Sequence, residues 1–406
     1  MNFESFRTMC EGYKDNPTQL IEVTKESFEK KALSPDDFAK PGVFRALAES
    51  TMGFGWQDVI KKRNLNPLIQ EAVGVTAFNG ITGQIFFTTV MDTWNTAPRI
   101  LGNRVRTIPS KLSGEKIPIP GLSSRYGFDI NENEPYPDDT FGRHWIETPR
   151  SAKNGKIIRL TMESVFFDRA GFVLDSAREF ARMVAESIEL RIAACLAGIT
   201  IKLDGKSFNG NTFKWCKPNE TSATAYDTYQ TSATGAGINS QTGATLADEV
   251  DVEELMLLAA AMTHPDTGQP AGFASELKEL IVTPWKGRVS RRIMNATEVR
   301  EDSNSDNRVT IAGRGIPAYE VIESVHLYNA LINSGVSAAN SQDYYFLANL
   351  NKGIAYIQNK PIQVEEQSIM GSDKAFENDL VWSGRVTEMG TPAVLSPWHL
   401  YRSKNS

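Results

Sequence analysis

The strongest periodicity in the chain lies between Phe172 and Ile199, where Val173, Ala177, Phe180, Val184, Ile188, Ile192, Cys195 and Ile199 recur at steps of three or four. That spacing predicts one long amphipathic helix. Its polar face carries Asp175, Arg178, Glu179, Arg182, Glu186 and Glu189, with Arg182 and Glu186 one turn apart. Asp168 stands where a cap opens such a helix, and Gly198 where one closes it. Each large residue of the apolar stripe contributes about 1.5 to 3 kcal/mol on full burial, against a few tenths for a surface ion pair. Packing, not charge, holds this helix.

From Ile100 to Asp168 the pattern changes to extended segments. Ile117 and Ile119 alternate with Pro118 and Pro120, and prolines in a strand belong at an edge, where no ladder donor is needed. Ile158, Leu160 and Met162 alternate with Arg159, Thr161 and Glu163, the period of a half-buried strand. Gly121 to Gly155 between them is rich in charge, Gly and Pro, so the expectation is a long hairpin. A limb of about 20 residues reaches roughly 65 Å, and an isolated ribbon is marginal in water. Such a ribbon needs a second surface, most simply a copy of the same chain.

Met1 to Asn66 is polar and charged and reads as a loosely packed arm, with short helical patches at Phe44 to Met52 and Trp56 to Lys62. Leu68 to Trp94 is more apolar and suits a helix or an extended segment joining a core. Lys202 to Ala247 is enriched in Thr, Ser, Asn, Gly and Ala and reads as a partly mobile surface insertion. Asp251 and Glu254 form a capping-box-like signal for a helix through Met262, followed by a turn at Pro265 to Gly268. Leu280 to Val282 predicts a buried strand and Trp285 to Asn295 a basic helix. Ile362 and Val364, then Leu380 to Met389, predict further extended segments, so the class is α+β.

Composition narrows the function classes. The 406 residues, 41% hydrophobic and 23% charged, suffice for a substantial core, while the longest apolar run, Leu255 to Met262, is far too short to span a bilayer. With 43 Lys plus Arg against 49 Asp plus Glu the net charge is −6, which argues against gripping phosphate through overall charge. Cys10, Cys195 and Cys216 show no CxxC spacing and fit a reducing compartment, and Met1 to Tyr13 lacks the apolar segment of a secretory signal.

Motifs for chemistry are sparse. His144, His264, His326 and His399 lack metal-ligand or triad spacing. Gly235-Ala-Gly237 lacks the last glycine of a dinucleotide fingerprint, and Asp302, Asn304 and Asp306 lack the glycine and bidentate glutamate of a calcium loop. Arg288, Arg291 and Arg292 recur at helical spacing as a contact or solvent face, and Cys195 sits on an apolar stripe as a core residue. The acidic group Glu132, Glu134, Asp138 and Asp139 around Pro135-Tyr136-Pro137 suits pairing with a neighbour's Arg or Lys, a cation, or solvent. No active site assembles, and the reading is of a protein that is not an enzyme and needs no cofactor.

An ordered set of segments resembles the major capsid proteins of tailed bacteriophages, with the Hong Kong 97-type fold. Its pieces are Phe78 to Gln84, Gly114 to Pro118, Pro135-Tyr136-Pro137, Ile146 to Pro149, Glu163 to Gly171 ahead of the long helix, Phe376 to Val381, and Pro392 to Leu395. The resemblance implies an N-terminal arm (1–99), an extended projecting β-hairpin loop (100–167), a peripheral domain with a spine helix (168–200 and 356–391), and an axial domain (251–355 and 392–406). The Thr/Ser/Gly-rich stretch 201–250 departs from it as a surface insertion. Implied inter-subunit contacts are Lys116, Arg125, Glu132, Glu134, Asp138, Asp139, Arg143 and Trp145 on the loop, with Arg178, Arg182 and Glu186 on the helix. Part of the family joins lysine to asparagine covalently, but no local signature marks Lys111, Lys116 and Asn378 as a reactive set.

The implied function is self-assembly through pentamers and hexamers into an icosahedral shell around double-stranded DNA held without sequence-specific contacts. The implied partners are other copies of the chain, a portal, a scaffold or protease, and decoration proteins. No membrane is involved; the place is the virion, assembled in the host cytoplasm. The alternative is an encapsulin-like cellular compartment that packages cargo enzymes.

Overall fold

The computed structural model describes residues 17–30, 74–121, 142–161, 172–217, 222–231, 237–264, 268–270, 272–295, 298–302, 309–313, 317–368 and 380–404, with isolated positions besides. In chain order the helices are α1 (Pro17–Glu29), α2 (Gly74–Thr96), α3 (Phe172–Ala197), α4 (Glu249–Ala261), α5 (Gly287–Met294) and α6 (Val325–Asn333), with shorter helical turns between. The first strands are β1 (Arg106–Pro109), β2 (Lys116–Gly121), β3 (Gly142–Glu147), β4 (Ala152–Thr161), β5 (Thr200–Leu203), β6 (Lys206–Asn209), β7 (Lys214–Cys216), β8 (Thr224–Ala225) and β9 (Ser240–Thr242). They are followed by β10 (Glu279–Val282), β11 (Glu298–Asp302), β12 (Val309–Gly313), β13 (Glu320–Glu323), β14 (Tyr345–Ala348), β15 (Ile354–Ser368), β16 (Leu380–Val394) and β17 (Leu400–Lys404). The class is α+β, as the sequence pattern predicts.

The chain divides into two compact units. The first comprises 1–98, 153–185 and 360–389. Within it α1, opened by Pro17 at its first position, packs on α2. Ile81, Ile85 and Val90 of α2 are fully buried, and Phe86 meets Trp382 of β16 edge to face at 5.0 Å. Ala177, Phe180 and Val184 of α3 are buried here, as the periodicity predicts, with Leu174 and Ala181 buried beside them. The alternation in β4 is also seen: Leu160 is buried and Arg159 exposed. Gly155 lies so close to the Val386 carbonyl and Thr387 that a side chain there would collide.

The second unit, 99–152, 186–359 and 390–406, is built on a five-stranded sheet of order β13-β10-β14-β17-β9. β10 is buried along its whole length, as expected for Leu280 to Val282. β13 and β9 join in parallel at the two ends, and β14 and β17 run antiparallel between. Val252, Leu255 and Ala259 of α4 and Ile293 and Met294 of α5 share one core with Leu280, Val282, Tyr345, Leu347 and Tyr401 of the sheet. The cap of α4 lies one turn earlier than expected: Asp248 accepts from the Val250 and Asp251 amides, and Asp251 answers as the partner.

Three expectations are corrected. The hairpin from Ile117 does not return through Ile158: β2 pairs antiparallel with β3 over six residues, Lys116↔Glu147 to Gly121↔Gly142, while β4 joins β16 in the separate sheet β1-β15-β16-β4. Nor is it an isolated ribbon, since β3 also pairs with β7, giving the sheet β2-β3-β7-β8 with the proline-bearing β2 at its edge. The segment 202–247 is not a surface decoration. It supplies β7, β8 and β9, and buries Phe213, Trp215, Cys216, Tyr229 and Leu246, because its few large side chains stand where the backbone passes the core. Glu189, placed on the polar helix face by spacing, is 1% exposed because α3 is buried on all sides over its last turns.

Phe44 to Met52, Trp56 to Lys62, Asp168, Glu163 to Gly171 and Phe376 to Asp379 lie outside the described residues. Of the calcium-like set, Asp302 ends β11 and Gly313 ends its antiparallel partner β12, a hairpin arrangement.

Candidate inter-subunit surfaces

The β2–β3 hairpin is anchored at its base. Thr148 donates through its amide and hydroxyl to the Glu115 carbonyl at 2.9 and 2.8 Å, and the Ser151 amide donates to Ser113 Oγ at 2.9 Å. Asn359 Nδ2 closes the preceding turn by donating to the carbonyls of Ser110 and Leu112. His144, buried, meets Trp215 edge to face at 5.2 Å, and Trp215 in turn meets Trp398 at 5.6 Å. This aromatic chain fixes where the hairpin leaves its unit. It was not legible in the sequence, because its members stand far apart in the chain and only the sheet brings them together.

On this base Lys116 is exposed opposite Glu147, and Trp145 is half-buried opposite Pro118 and Cys216. Glu132 is exposed in a turn. Arg125, Glu134, Asp138, Asp139 and the Arg143 side chain lie outside the described residues, although the Arg143 backbone belongs to β3. On α3, Arg182, Met183 and Glu186 form an exposed patch, and Arg178 donates to Asp175 at 3.1 Å. Further along the helix, Glu189 accepts from the Leu101 and Gly102 amides at 2.9 and 2.6 Å. Burial pushes its carboxyl above the ordinary value, against those two bonds.

One group of side chains has a chemical appearance. The Ser396 hydroxyl faces His399 Nδ1 at 2.7 Å, His399 Nε2 faces Glu276 at 2.7 Å, and Lys352 Nζ donates to the same carboxylate at 2.7 Å. Ser396, His399 and Lys352 border a cavity of about 560 Å³, also lined by Arg106, Phe273, Lys278 and Trp398. A serine, imidazole and carboxylate in series is the order of a hydrolytic relay. Here Ser396 and His399 bracket one 3-10 turn, and the Ser396 amide and the His399 amide are both bonded to backbone carbonyls. The group ties that turn to Glu276 and to the helical turn Leu350–Gly353. Burial lowers the His399 pKa, against the pull of Glu276. Burial alone would raise the Glu276 carboxyl, but hydrogen bonds from Lys352 and His399 outweigh it and hold it below the ordinary value.

Cys195 is fully buried, its thiol pushed by burial up to about 12, so it is a packed core residue. Among the described residues no group of three or more His, Cys, Asp or Glu is placed to hold a metal ion, and no helix is long and apolar enough to cross a membrane.

The family model for phage capsid protein matches residues 146–403. No curated protein matches the chain. Among solved structures, Gordonia phage Cozz is similar at TM-score 0.46 and 11% identity, covering 76% of this chain and 86% of that one. The Cyanophage Pam1 capsid is similar at TM-score 0.43 and 13% identity, covering 77% and 92%. The capsid of Cyanophage P-SCSP1u is similar at 0.42 and 14%, covering 74% and 86%.

Proposed function

The chain belongs to the phage capsid protein family, and we propose that the hairpin and the exposed face of α3 are where its copies meet. It is a structural capsid protein of a bacteriophage, and its copies assemble into the shell of the virion. The family match over more than half of the chain carries that conclusion, and it favours a viral shell over a cellular cargo compartment.

Residues 122–141, between β2 and β3, carry Arg125 and the acidic group Glu132, Glu134, Asp138 and Asp139, whose carboxylates pair with a neighbour's Arg and Lys. Lys116, Arg143 and Trp145 flank them, and Arg178, Arg182 and Glu186 offer a second charged face on α3. The unit carrying α2 and the first half of α3 plays the peripheral part, and the unit with the five-stranded sheet plays the axial part. Pentamers and hexamers close the shell by heterologous contacts, with burial of apolar surface as the driving term. A portal, a scaffold or protease, and decoration proteins complete the particle. Assembly takes place in the host cytoplasm, and a net charge of −6 suits a wall that confines double-stranded DNA without gripping it. Electron microscopy of the purified protein, alone and with its scaffold, tests the assembly claim. Closed particles are expected, and monomers under both conditions would overturn it.

A further inference from the structure

The cavity beside Ser396 and His399 lies within the second unit, and its lining combines two kinds of group. Phe273 and Trp398 are aromatic, Phe273 edge-on to His399 at 5.0 Å and Trp398 edge-on to Phe213 at 5.7 Å, and Ile119 and Leu395 add aliphatic surface. Arg106 and Lys278 are exposed cations with no ion pair among the described residues, whereas Lys352 is held by Glu276. Asn351, also exposed on the lining, has a side-chain amide with no hydrogen bond among the described residues. The volume of about 560 Å³ is that of a site that encloses a small ligand or a few residues of a peptide. Such a lining suits an aromatic or proline-rich body with carboxylates on either side.

A sequence of that kind stands between β2 and β3. Glu134-Pro135-Tyr136-Pro137-Asp138-Asp139 sets one aromatic ring between two prolines and carboxylates on both sides of them. Proline fixes its own φ and favours extended backbone in the residue before it, so such a sequence loses little conformational entropy on entering an aromatic-lined groove. Pro135 and the nearby Glu132 are exposed, and Glu132 makes no ion pair with Arg106 or Lys278 of its own copy. Unpaired carboxylate and unpaired cations thus stand in one chain without meeting there, and a second copy brings them together.

We infer that the segment Glu134 to Asp139 of one copy docks in this cavity of the next, Tyr136 entering against Phe273 and Trp398 while the flanking carboxylates meet Arg106 and Lys278. Asn351 offers its amide to the phenol. Exposed ion pairs add little affinity, whereas an aromatic ring buried in a pocket is a typical anchor. Tyr136 therefore carries the affinity, and the charges set the rate and register of docking. Segment and cavity are different surfaces of identical copies, so the contact is heterologous and repeats from copy to copy. The inference rests on the capsid reading and names the receptor for the charged segment, which that reading leaves open.

A fluorescent peptide of residues 131–140 tests the pocket apart from assembly. It is expected to bind full-length Tyr136→Ala protein, whose own segment lacks the anchor. Binding is expected to weaken about tenfold when Arg106 and Lys278 are both changed to Gln, or when the peptide carries Ala in place of Tyr136. Displacement of the peptide by an equal concentration of dAMP would make the cavity a nucleotide site and overturn the inference. Charge exchange tests the contact between copies. Arg106→Glu with Lys278→Glu, and separately Glu134→Lys with Asp138→Lys, each folded by circular dichroism, are expected to lose assembled particles about tenfold. Mixing these two variants is expected to recover particles above either alone, because each segment then meets a cavity of opposite charge on the other copy. A chain with all four substitutions is expected to recover them as well. A four-substitution chain that assembles while the mixture does not would place the segment in the cavity of its own copy and overturn the contact. A peptide that fails to bind, or that ignores the Gln changes, would overturn it even where the wild type assembles. Wild-type protein that stays monomeric while the peptide binds would instead overturn the capsid reading and leave the pocket standing.

Discussion

Asn239 is 3% exposed, and its amide is fully engaged with backbone. It donates to the carbonyls of Thr228, Pro397 and Leu400 at 2.8, 3.1 and 3.1 Å and accepts from the Gln230 amide at 2.7 Å. Arg402 performs a similar task, reaching the Ala197 carbonyl at the end of α3 at 2.8 Å while lying over the Tyr229 ring. These two residues join the Thr- and Ser-rich segment to the C-terminal strand. Composition alone cannot show this, because a polar residue in a hub is spelled like a polar residue in a loop. His399 is the residue whose titration matters. Its folded pKa is depressed below 6.5 and that of Glu276 below 4.5, so both stabilise the fold above those values and lose that contribution as pH falls. The urea midpoint, followed by tryptophan fluorescence, is expected to fall between about pH 7.5 and pH 5.5. His399→Gln, which cannot titrate, is expected to flatten that slope, and an unchanged slope would refute the assignment.

Among the elements, α3 was the most legible, since its stripe of apolar residues at three- and four-residue steps matches the buried set from Ala177 to Ile192. Gly198 follows it at φ +63, the left-handed position that ends helices, and a Cβ there would also meet the Tyr229 ring. Phe180→Ala is expected to cost about 3 to 5 kcal/mol in urea unfolding through the cavity it leaves. Arg182→Ala, on the exposed face of the same helix, is expected to stay within about 0.5 kcal/mol. Equal losses would mean that charge, not packing, holds the helix. The hairpin was legible only by half. Alternating Ile and Pro marked β2 as an edge strand, but its partner was misassigned, because β3 and β4 are both extended and pairing is chosen by which surface each one buries.

At the scale of the whole molecule, the proposed function assigns residues 122–141 to assembly, whereas the sheet β2-β3-β7-β8 serves folding. Replacing residues 122–141 with a short glycine-containing turn is expected to leave the thermal unfolding midpoint within a few degrees, since β2 and β3 keep their register and β7 its place. The same variant is expected to yield no closed particles in the electron microscope. Shells from it would show that the charged loop is dispensable, and an unfolded protein would show that the loop serves the monomer.

The sequence by itself determined the α+β class, the long helix with its buried stripe and closing glycine, the buried strand at Leu280 to Val282, and the basic character of α5. These depend on periodicity and local turn chemistry, which neighbouring residues specify on their own. Tertiary structure decided which strand completes the hairpin, that 202–247 contributes to the core, and that Glu189 is buried against two amides. Those outcomes follow from contacts between residues tens to hundreds of positions apart, and such contacts are selected by the burial and hydrogen bonding of the assembled fold rather than by local pattern.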